Sequence, residues 1–86
     1  MENYKVTAPV VQPLGVSWLP APFEDRSQED VVIYGWAPLG VDETDEGWRL
    51  MKETTDSSGV TTRLYPNGSM DFKFKWSERD NYDYGR

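Results

Sequence analysis

The chain has 86 residues, a net charge of −6 and neither cysteine nor histidine. Disulfides, thiolate metal sites and nucleophile–imidazole catalysis are therefore excluded. The acidity argues against a nucleic-acid partner, because phosphate binding rests on clustered Lys and Arg.

Residues 1–29 read as an extended N-terminal arm. The first residues lack the basic and apolar regions of a secretory signal. Pro9, Pro13, Pro20 and Pro22 forbid a helix and remove backbone donors. Apolar knobs punctuate the segment, among them Val6, Val10, Leu14, Trp18, Leu19 and Phe23. Such an arm cannot bury these side chains against itself, so it is expected to lie on the body or on a neighbouring subunit.

Residues 30–86 read as a small antiparallel β-domain, which makes the chain all-β, a meander of about four strands. The first strand is Val31-Val32-Ile33-Tyr34-Gly35-Trp36, a β-branched and aromatic run. After the acidic stretch Asp42–Glu46, residues 48–54 alternate Trp48, Leu50 and Lys52 against Arg49, Met51 and Glu53. A helix over 43–54 is the competing expectation, since Glu, Leu, Met and Lys are good helix formers; Gly47 and the flanking threonines favour the strand. Asp56–Gly59 is a turn cluster before the third strand, Val60–Tyr65. Asn67-Gly68 is the preferred pair for a tight hairpin turn.

In the expected fourth strand, residues 71–77, Phe72, Phe74 and Trp76 alternate with Lys73, Lys75 and Ser77. That pattern places rings on one face and ammonium groups on the other. The buried face is expected to carry Trp36, Trp48, Leu50, Leu64, Phe72, Phe74 and Trp76. No stretch approaches the roughly 20 apolar residues that a bilayer span needs.

Little here points to catalysis. Carboxylate pairs such as Glu46 with Asp71, or Glu78 with Asp80, would need a cleft that a thin sheet rarely provides. Asp42, Thr44, Glu46, Gly47 and Glu53 fall at calcium-loop offsets. Arg49 stands at a position that is usually apolar, however, and Pro38 and Gly40 leave no preceding helix, so a solvated acidic loop is expected. No catalytic residue, cofactor or metal ligand is assigned. Lys73, Lys75 and Arg79 are the only candidates for a basic stripe, and a solvated sheet face accounts for them. Tyr4, Trp18, Phe23, Tyr82 and Tyr84 lie outside the expected strands. They are candidate interface anchors, since aromatics dominate interface energetics. Folding back over the sheet is the competing reading, favoured for Tyr82 and Tyr84 and left open for Trp18 and Phe23.

From Tyr34 onward the order of elements resembles a group of small β-rich proteins of tailed bacteriophages. Tyr34-Gly35-x-Ala37-x-x-Gly40, then Trp48-x-Leu50-x-Lys52, then Trp76-x-x-Arg79 with Tyr82 or Tyr84, carry the resemblance. It implies a virion component of head, neck or tail, made in the host cytoplasm, without enzymatic activity, and working through contacts with other virion proteins or further copies of itself. Two other classes stay open. One is a small acidic inhibitor of a host protein, presenting Asp42, Glu43, Asp45, Glu46, Asp80 and Asp83. The other is a carbohydrate-recognition module that stacks sugars on exposed Trp and Tyr rings.

Overall fold

The computed structural model describes residues 19–86. Five strands form one open antiparallel sheet in the order β1-β2-β3-β4-β5: β1 Phe23–Gln28, β2 Val31–Trp36, β3 Arg49–Thr55, β4 Thr61–Pro66 and β5 Tyr84–Gly85. The chain is all-β. A 3-10 turn, Trp76–Glu78, interrupts the last connection.

Local chemistry explains the hairpins. Asp30 closes β1 onto β2 with φ of 62°, a conformation that Asp tolerates better than most non-glycine residues. Between β3 and β4, the Asp56 carboxylate accepts from the Ser58 N–H at 2.9 Å, the Ser58 hydroxyl at 2.6 Å and the Val60 N–H at 3.0 Å. One side chain thus satisfies the turn's donors. Across the ladder, β2 and β3 pair in continuous register from Val31↔Thr54 to Trp36↔Arg49. The alternation in residues 48–54 is realised as β3, not as a helix.

Register fixes the two faces. Ile33, Gly35, Leu50 and Lys52 share one side, which is the core side; Tyr34, Trp36, Arg49, Met51 and Glu53 share the other. The core consists of Ile33, Ala37, Trp48, Leu50, Phe74 and Trp76, with Val41, Tyr82 and Tyr84 packed against it. Trp36 therefore does not belong to the buried face, contrary to expectation. It stacks on Tyr34 on the opposite face, 5.9 Å between centroids. Both faces of β2 are apolar enough to be buried, so its parity is set by fit and not by hydropathy.

The segment after the Asn-Gly turn differs most from expectation. Asn67 and Gly68 take the left-handed conformation at φ 53° and 68°, and Ser69 N–H donates to Pro66 O at 2.9 Å, as a tight hairpin turn requires. Residues 71–77 nevertheless do not return as a strand beside β4. β5 occupies that place, pairing Tyr65↔Gly85 and Pro66↔Tyr84. Residues 71–77 instead cross the core face. Phe74 makes one isolated bridge to Trp48, exchanging both backbone bonds at 2.9 Å, and the chain then coils into the 3-10 turn at Trp76. Of the three alternating rings, Phe74 and Trp76 are buried while Phe72 is 40% exposed.

The reason is distance. Trp76 packs over Gly35 in β2, and a strand lying beyond β4 would be three ladder spacings, roughly 14 Å, from β2.

The expected boundary between residues 29 and 30 also moves. Phe23–Gln28, assigned to the arm, is the first strand of the sheet and pairs with β2 from Phe23↔Gly35 to Gln28↔Val31. Tyr4 and Trp18 lie outside the described residues.

Candidate functional site

The core face assembles an aromatic cluster that sequence proximity does not suggest. Trp48 and Trp76 lie 5.7 Å apart, and Phe23 caps both, at 4.9 Å from Trp48 and edge-on at 5.5 Å from Trp76. The arrangement depends on Gly35. A Cβ there would stand 2.7 Å from Trp76 Cζ3 and 3.1 Å from Trp48 Cε3, so only glycine lets both indoles lie on the strand. The Trp48 indole N–H donates to the Asp42 carbonyl at 2.9 Å, which satisfies the one polar group the ring carries inward.

Arg79 locks this cluster. Its guanidinium sits 4.5 Å from the Trp76 ring centroid, its Nε donates to Asp25 Oδ2 at 2.8 Å, and its terminal nitrogen donates to the Trp76 carbonyl at 3.1 Å. The contact joins β1 to the last connection across 54 positions of sequence. The hydroxyl and backbone N–H of Ser27, together with Arg79, hold the Asp25 carboxyl down from 3.8 to about 2. Arg79 is thus engaged within the fold and does not extend a basic stripe.

Three of the five interface candidates are placed. Phe23 remains 44% exposed, yet its ring is packed on Trp48 and Trp76. Tyr82 meets Phe74 edge-on at 5.0 Å, and its hydroxyl accepts from the Lys75 N–H at 2.9 Å. Tyr84 donates its O–H to the Arg79 carbonyl at 2.8 Å and lies under Lys52 Nζ, 5.4 Å away. Burial pushes the Tyr84 phenol above its ordinary value, with the Asp80 carboxylate adding to the shift. Both tyrosines fold back over the sheet.

The acidic loop works as a turn. Asp42 Oδ1 accepts from the Glu43 N–H at 2.7 Å, and Asp45 Oδ2 accepts from the Asp42 N–H at 3.1 Å. Among the described residues, no group of three or more acidic side chains gathers as a metal site. The Glu43 carbonyl accepts from the Ser77 N–H at 2.9 Å. That bond sets the acidic loop beside the turn that carries Glu78 and Asp80.

Among the described residues, two further surfaces are open to recognition. The face away from the core carries the Tyr34–Trp36 stack, with the Arg49 guanidinium 5.6 Å from the Trp36 ring centroid. On the same face Glu53 accepts from Arg63 Nε at 3.0 Å and from the Tyr34 hydroxyl at 3.4 Å. The second surface is a cleft of about 660 Å³ along the outer edge of β4, lined by Thr61, Arg63, Tyr65, Met70 and Arg86 among others. Sequence reasoning missed the cleft, because it forms only where β5 stops short of covering β4.

Compared with protein families, with characterised proteins and with solved structures, the chain matches none.

Proposed function

We propose that this chain is a non-enzymatic structural component of a tailed-bacteriophage virion, acting through protein–protein contacts. The supporting observation is where the residues of the phage-like pattern fall. Gly35, Ala37, Trp48, Leu50 and Trp76 meet in the core region, Arg79 clamps Trp76, and Lys52 covers Tyr84. Core placement of the pattern supports a scaffold role. It leaves the Tyr34–Trp36 face and the sheet edges for partners. Many copies on a symmetric particle strengthen small contacts through multivalency.

Mass spectrometry of purified particles tests the proposal. The chain is expected in them, in multiple copies, and to co-sediment with particle proteins when added back. Absence from particles, with the purified protein monomeric and inert in pull-down, refutes it.

A second reading rests on the Glu43–Ser77 backbone bond, which joins two acidic turns into one exposed patch. A small acidic inhibitor of a host protein would use such a patch to steer association. The same mass spectrometry separates the two, since an inhibitor is absent from particles.

A further inference from the structure

We propose that the half of the β4 edge that no other described residue pairs with is a strand-addition site for an extended acidic segment of a partner polypeptide. The proposal rests on the protein–protein reading above and specifies its chemistry.

Hydrogen-bond parity shows which backbone groups of β4 point away from β3 and have no partner among the described residues. Asp56 N–H donates to Val60 O at 2.9 Å, which makes residues 56 and 60 a bonded pair. The register continues through Thr54↔Thr62 and Lys52↔Leu64. Bonded pairs alternate in an antiparallel ladder, so the even-numbered residues of β4 address β3. The odd-numbered ones face outward. On that side Asn67 N–H donates to Asp83 O at 2.7 Å, and Tyr65 pairs with Gly85. β5 ends there as a strand of two residues. Thr61 and Arg63 therefore direct their N–H and C=O groups to the side of β4 away from β3, where no described strand pairs with them. An unpaired row of this kind is a template for another strand.

The surroundings select the occupant. The cleft beside this edge is lined by Val60, Tyr65 and Met70, with Val60 and Met70 56% and 49% exposed. Among the described residues, Arg63 and Arg86 are the only charged side chains lining it, on a protein whose net charge is −6. Arg63 gives Glu53 its Nε, and a guanidinium has five N–H donors in all. Alternating apolar and acidic side chains would put carboxylates against the two arginines and apolar groups against Val60 and Met70. Arginine repulsion across the seam disfavours self-pairing of this edge between two copies. Backbone bonds over so short an edge hold weakly in isolation, which suits display in many copies.

The test uses the full chain, isotopically labelled, with two synthetic capped peptides: Thr-Val-Glu-Val-Glu-Val-Thr and its Lys-for-Glu counterpart. NMR amide exchange is the readout. In the free protein, Thr61 and Arg63 amides exchange faster than those of Thr62 and Leu64. The Glu peptide slows both by about tenfold or more, and the Lys peptide binds at least about tenfold more weakly. Thr61→Pro removes an outward N–H and spares the backbone bonds to β3, losing only the exposed Thr55–Thr61 hydroxyl bond, so it keeps the fold and loses the peptide. A Glu peptide N-methylated at alternate residues also fails to bind, and that control needs no protein variant.

Unchanged Thr61 and Arg63 exchange at millimolar Glu peptide overturns the proposal. So does equal binding of the Lys or N-methylated peptide. The peptide result is independent of particle association: a chain absent from virions that still binds the Glu peptide refutes the virion reading alone.

Discussion

Gly35→Ala is the sharpest probe of how this sheet is packed. Gly35 has no left-handed φ, so alanine is acceptable to the backbone and on strand propensity alone gains about 0.5–1 kcal/mol. The tertiary structure reverses the sign. The added Cβ would stand 2.7 Å from Trp76 Cζ3 and 3.1 Å from Trp48 Cε3, where carbon contacts normally settle at about 3.5–4.0 Å. A buried indole must therefore retreat by roughly 1 Å, and neither has a flexible end to bend. Overpacking costs about 1–3 kcal/mol, and contacts as close as 2.7 Å put this case at about 2–3, which leaves a net loss of about 1–2.5 kcal/mol. For a domain of this size the melting temperature falls by roughly 4–20 °C. Thermal and urea unfolding, followed by tryptophan fluorescence, measure it. In a Trp76→Phe background the alanine costs less, with a coupling of at least about 0.5 kcal/mol in the double-mutant cycle. A Gly35→Ala protein as stable as the parent refutes the packing of Trp76 over β2.

Trp48→Ala is expected to cost about 3–5 kcal/mol and Trp36→Ala about 1 kcal/mol, because only the former empties the core; urea midpoints report both. Trp36 is therefore the tryptophan whose removal tests glycan stacking without unfolding the domain. Asp25→Asn is expected to flatten the acid limb of stability. The folded carboxyl titrates near 2 against 3.8 unperturbed, so its contribution is complete above pH 4 or so and disappears as pH falls towards 2. Melting temperature against pH measures this, and an unchanged acid limb refutes it. Tyr84→Phe is expected to act at the opposite end. Its phenol is raised in the folded state, so its stabilisation is intact below the unfolded value of 10.0 and is lost as pH rises beyond it. Replacing it costs about 1 kcal/mol for the bond to the Arg79 carbonyl and removes that alkaline dependence in pH-resolved unfolding.

Sequence alone determined the elements whose side chains alternate over a ladder with one face covered. β3 was legible from Trp48, Leu50 and Lys52, and the turns from Asp56–Gly59 and Asn67-Gly68, because these signals are local. β1 was hidden. It follows Pro20 and Pro22, its residues are mostly exposed and charged, and its place comes from pairing with β2 and from Arg79 reaching Asp25. The parity of β2, the crossing of Phe74 and Trp76 over the sheet, and the bare edge at Thr61 and Arg63 were decided only by tertiary structure. The alternation in residues 71–77 reports that alternate rings are buried, not against what. Which surface receives them depends on the one strand position, Gly35, that has no side chain in the way.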